Sequence, residues 1–232
     1  MTELSSSEVT SRKVARRAAT PIAGAIAGII FAVLYTVSMT ALRQTVGDAA
    51  SDTGAWLTED TGLVKFALAL VPFAGLAFLW FIAVARERLG RFEDQFFSTV
   101  FIGSGLLFLA MVFAAAAGAG AMVAAAANDP AGFASSTTYD YARQMVTQIL
   151  GVYALRMAAI FQLSQASLWV RTRVMPRWMA LITIVVALLL LFVFTQTWWV
   201  VLVFPAWVLL VSVYILIAQP VQERQEAGER QA

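Results

Sequence analysis

The stretch "GVYALRMAAIFQL", residues 151–163, sets Arg156 among apolar neighbours, nearly midway between Arg143 and Arg171. A guanidinium keeps its charge and presents five N–H donors in a planar fork that matches carboxylate and phosphate oxygens. The chemistry open to such a residue is anion binding. At mid-bilayer depth an arginine costs roughly 2.5–3.5 kcal/mol on insertion scales, so it should face protein, water or a ligand. Projected as a regular α-helix, its face carries Met145, Ile149, Val152, Tyr153, Ile160, Leu163 and Ser167. Tyr153 is the one polar companion within a turn, so Arg156 and Tyr153 form the candidate ligand-binding pair. Gln162 and Gln165 fall on the other side of the same helix and make a second, weaker polar face.

Three kinds of partner suit this arginine, and the residues leave all three open. Glu93 and Asp94, in "GRFEDQFFSTVF", are candidate charge partners. They lie on the order of 20 Å away in depth at the rise of an α-helix, and they also suit the N-terminus of their own helix, where the dipole favours acids. Pro72 and Pro205 each remove a backbone donor and free the carbonyls of Leu68 and Val201. Such kinks are tolerated in a membrane when a nearby group satisfies the carbonyls. The third partner is a ligand: an inorganic anion, a carboxylate metabolite or a lipid phosphate.

The absences exclude a good deal. There is no cysteine and no histidine. That removes disulfides, thiolate nucleophiles, imidazole metal sites, the usual haem ligand and histidine acid–base catalysis. No serine–histidine pair, paired aspartate or metal set stands at membrane depth, so no enzyme, cofactor, metal site or nucleic-acid partner is expected.

The elements that must position Arg156 follow from composition. Of 232 residues, 60% are hydrophobic and 13% charged, where a soluble domain keeps roughly a quarter charged. The expected fold is all-α, a polytopic bundle with segments at about 21–42, 62–85, 96–127, 143–170, 178–195 and 198–218. The last two divide a charge-free run, Trp178 to Ala218, that at about 41 residues is too long for one span. Thr195-Gln196-Thr197 breaks it. Polar stretches at 1–19 and 220–232 flank the membrane domain at 20–219.

Orientation comes from the basic loops. Arg12, Lys13, Arg16 and Arg17 precede the first segment; Arg86, Arg88 and Arg91 follow the second; Arg171, Arg173 and Arg177 follow the fourth. The alternate loops carry Asp48, Asp52, Glu59 and Asp60, then Asp129 and Asp140. Six spans with both termini cytoplasmic place every basic cluster on one side. Gly24 and Gly28 have the GxxxG spacing, and residues 114–127 are almost all small. Such faces let helices approach closely, within one bundle or between copies of a homo-oligomer.

The blocks "ALRMAAIFQLSQASLWVRTRVMPRWMAL" (154–181), "VFPAWVLLVSVYIL" (203–216) and "GRFEDQFFSTVFIGSGLLFLAM" (90–111) resemble a group of actinobacterial polytopic integral membrane proteins with no assigned activity. The resemblance implies the topology and a bacterial inner-membrane location. The functional expectation is transport or permeation of a small anionic or amphipathic solute around Arg156. The alternative is a non-catalytic scaffold or accessory subunit that binds a lipid headgroup or a partner protein.

Overall fold

Four contacts set the direction of the first two long helices, α1 (Ser6–Val46) and α2 (Thr61–Leu89). Gly24 lies against Val84, Gly28 against Phe81, Phe31 against Phe78, and the Ser38 hydroxyl donates to the Ala67 carbonyl. One number rises as the other falls, so the pair is antiparallel. In this computed structural model the described residues are 6–46, 54–89, 95–173, 175–192 and 199–229, with side chains over 22–42, 54–86, 98–173, 175–192 and 199–218. Helix α3 (Gln95–Ala125) reverses again, with Gly75 against Phe113 and Gly105 against Ile82.

The chain then forms α4 (Pro130–Ala134), α5 (Thr137–Gln148), a π-helical turn (Ile149–Ala154), α6 (Leu155–Thr172), α7 (Arg177–Phe192) and α8 (Trp199–Glu229). Gly118 meets Val146 and Phe101 stacks on Phe161, so α5 and α6 run against α3. Thr183 meets Trp207 and Trp178 meets Tyr214, so α7 and α8 are antiparallel. Helix α8 returns to α1 through Phe204 on Phe31 and Ser212 on Gly28. The first and last helices are therefore neighbours. No strand occurs among the described residues.

Five helical stretches are long and apolar enough to cross a bilayer: Ile22–Leu42, Thr61–Arg86, Ser98–Ala125, Thr137–Thr172 and Trp199–Ala218. Helix α7, expected over 178–195, has 16 residues. At 1.5 Å per residue it reaches about 24 Å, short of the ~30 Å hydrocarbon core. Residues 193–198, with the Thr195-Gln196-Thr197 break, lie outside the described residues. The polar flanks differ from plain tails, because α1 already begins at Ser6 and α8 continues to Glu229.

The exterior is apolar as well. Ile22, Ile26, Ile30, Val33 and Val37 of α1, and Phe66, Phe73, Leu76 and Trp80 of α2, are exposed. An apolar surface of this extent on long helices is the character of a membrane-embedded bundle. The interior is built on rings. Phe78 of α2 has centroid distances of 4.7 Å to Phe31, 5.4 Å to Phe108, 5.4 Å to Phe161 and 5.6 Å to Phe204. Aromatic pairs contribute about 0.5–1.5 kcal/mol each beyond the area they bury, so five helices are fastened at one level.

Pro72 and Pro205 both sit inside continuous helices, Pro72 exposed and Pro205 buried. Gly24 and Gly28 pack within the chain: a Cβ on Gly24 meets Val84 Cγ1 at 2.5 Å, and one on Gly28 collides with Ser212 Oγ and Phe81. Gly28→Leu should therefore force α1 away from both α2 and α8. Overpacking of this kind costs about 1–3 kcal/mol, seen as an earlier thermal transition in detergent. An unchanged transition would show that the seam absorbs a side chain.

Candidate functional site

The site begins with the helix that carries it. Ser136 caps α5, its hydroxyl accepting from Tyr139 N at 3.2 Å, so the helix starts before the expected residue 143. Asp129 caps α4 by accepting from Gly132 N at 2.9 Å, with Pro130 at the first helical position. From Ile149 to Ala154 the helix widens into a π turn. No proline marks it, and a Cβ on Gly151 would meet nothing within 4 Å. A π turn spreads its hydrogen bonds over one more residue, so each residue adds less rotation than in an α-helix.

That change alters the face predicted for Arg156. Met145 and Val146, upstream of the turn, and Ile149 at its start line an apolar groove of about 230 Å³ against Ala114, Gly118 and Ala125 of α3. Downstream, Arg156 Nη1 donates to the Val152 carbonyl at 3.0 Å, within the π turn itself. Val152 also accepts the backbone N–H of Leu155. The carbonyl that a π turn leaves poorly matched thus takes a charge-assisted donor, the stronger kind of hydrogen bond. Arg156 is half-buried, and Tyr153 is 58% exposed. The candidate pair lies towards the outside of the bundle, beside the turn rather than in the aromatic interior. Glu93 and Asp94 lie outside the described residues.

Gln162 and Gln165, the second polar face, occupy the buried side of α6 at 0% and 4% exposure. Sequence reasoning gave them the lesser role, because period alone does not say which face of a helix lies inward. The sequence reading also missed a small apolar cluster at the acidic end. Trp56, Leu57, Val64, Met122, Val123, Ala126 and Tyr139 pack there, drawn from both acidic-side loops and the adjoining helix ends. Trp56 Nε1 donates to Tyr139 Oη at 3.0 Å across 83 residues of sequence. Gly54, at φ 75°, turns the chain into it. A tryptophan in an acidic-side loop was the available signal.

Among the described residues no group of three or more His, Cys, Asp or Glu could hold a metal ion. No family model, curated protein or solved structure matches the chain.

Trp56→Phe keeps a ring in the cluster and deletes its donor, leaving Tyr139 Oη without that bond. A loss of about 1 kcal/mol is expected, with faster amide exchange over 54–64 and 126–139. Exchange that accelerates equally throughout the chain would mean the loops do not form a separate unit.

Proposed function

We propose that this chain is a six-span bacterial inner-membrane protein, with both termini cytoplasmic, that binds and moves a small anionic amphiphile around Arg156. The observation that carries the reading is the placement of that guanidinium: half-buried beside a π turn, on the outer part of the bundle, at the middle of a membrane-length helix. An arginine fork at such depth suits carboxylate or phosphate oxygens. The apolar groove ending at Ile149 of the same turn supplies a seat for an alkyl portion. The aromatic layer around Phe78 fills the bundle axis, so access from the side, through the lipid, is favoured over an axial pore. The reading is non-enzymatic.

The alternation of helix directions supports the six-span topology. Arg86, Arg171, Arg173 and Arg177 fall at one end, and Glu59, Asp60, Asp129 and Asp140 at the other together with Lys65 and Arg143. On the positive-inside rule the basic end is cytoplasmic. A reporter fused after Arg173 should read cytoplasmic and one inserted at Asp129 external; a cytoplasmic signal at Asp129 would reverse the topology.

A second reading, a scaffold that binds lipid or a partner protein, is favoured by the Arg156–Val152 bond, which makes the arginine a strut. The two are separated with dodecyl phosphate as the anionic probe and dodecyl maltoside as its uncharged control. On the first reading dodecyl phosphate raises the melting temperature of the native chain by linkage. Arg156→Lys, which keeps the charge without the fork, should lose most of that rise, and Arg156→Leu all of it. On the same reading the leucine variant should be as stable as the native chain without ligand. A leucine variant that melts clearly earlier would establish the strut.

A further inference from the structure

The buried polar side chains are not spread evenly through the bundle. Take the level of Phe31, Phe78, Phe108, Phe161 and Phe204 as a dividing layer. Among the described residues, the buried hydroxyls and amides of Ser98, Ser104, Gln162, Ser164, Gln165, Thr183 and Ser212 lie on its basic side, and Ser38 lies on the acidic side with the polar-tipped rings Tyr35, Trp56 and Tyr139. Several are satisfied locally. Ser104 bonds to Val100 O at 2.7 Å, Ser164 to Ile160 O at 2.9 Å, and Thr183 to Met179 O at 2.9 Å while accepting from Trp207 Nε1.

Three others have unmet atoms. Gln162 is fully buried, and neither its Nε2 nor its Oε1 has a hydrogen-bond partner; Gln165 Oε1 and Ser212 Oγ are likewise unmet. Gln162 and Gln165 are three apart on α6, so their side chains leave the helix side by side. Buried polar atoms in native proteins are paired with protein or with ordered water in the large majority of cases. A water needs two to four polar partners, and this pair offers two acceptors and a two-proton donor. No charged side chain belongs to the set, so an ion is not the matching occupant.

We infer that Gln162 and Gln165 form an internal water site, a local vestibule on the basic side of the aromatic layer. In the opposite half Ser38 donates to Ala67 O and Trp56 Nε1 to Tyr139 Oη. The vestibule is separate from the Arg156 site, because Gln162 faces inward and Arg156 outward on the same helix.

The test is millisecond hydroxyl-radical labelling of the full chain in lipid nanodiscs, where bound water generates the radical beside buried side chains. Trp169 and Trp207, tilted against one another with ring centroids 6.3 Å apart on the vestibule side, are the reporters. Phe31 and Phe108, within the ring layer itself and as fully buried, are the controls. After correction for ring reactivity, the tryptophans should label about tenfold faster than the controls in the native chain, and Gln162→Met should bring them down to the control rate. Equal rates in the native chain, or tryptophan labelling unchanged by Gln162→Met, would overturn the assignment. Should the variant fail to fold, the native-chain comparison decides. Gln162→Met supplies a second readout. In a dry site it removes an unmet amide and raises the melting temperature, whereas in a hydrated site it strands the water and does not.

Discussion

Phe78 meets four other rings contributed by α1, α3, α6 and α8, and the rest of the bundle is arranged around that meeting. In hydrocarbon, helices gain nothing from hiding apolar surface from lipid, so packing geometry must hold them together. Rings provide large contact areas with defined geometry. The small residues around them set the distances: Gly28 admits Phe81 and Ser212, Gly105 admits Phe161, and Gly75 admits Phe113. Each glycine is paired with a bulky neighbour, and the pairing fixes how far each helix is slid along the next.

The layer also divides the molecule by polarity. On its basic side stand amides and hydroxyls, and on its acidic side an apolar groove and the Trp56–Tyr139 cluster. Arg156 lies outside this division, on the periphery of α6, where its own helix supplies a carbonyl through the π turn. Three environments thus coexist along the bundle: a basic-side half with buried amides and hydroxyls, a ring-filled middle and a capped acidic-side half.

Much of this arrangement was legible from the chain. The all-helical class, the long apolar segments and the segregation of basic from acidic loops follow from composition and spacing, because a bilayer imposes length and charge rules that sequence records directly. The GxxxG glycines were legible as packing positions. The π turn was not, because a projection at constant rotation assumes the regularity that Ile149–Ala154 breaks. The burial of Gln162 was half legible: its face could be drawn, but what covers that face is settled by neighbours far away in sequence. The Trp56–Tyr139 bond had no periodic signature, since it joins a short 3-10 turn to the first turn of α5.

The adjacency of α1 and α8 bears on how the protein is made. Gly28 and Phe31 leave the ribosome well before Ser212 and Phe204, which cover them. At about 5–20 residues per second, the interval between them is on the order of 10–40 s. Throughout that time α1 and α2 must stay in the bilayer as a hairpin with one face uncovered by its permanent neighbour. The Phe31–Phe78 contact suffices to hold the hairpin, but the Gly28 groove stays open to any passing helix, including one from another nascent chain. Early in synthesis the growing protein is therefore most exposed to pairing with the wrong partner. Arrival of the final helix ends that vulnerability and closes the ring of contacts in a single step.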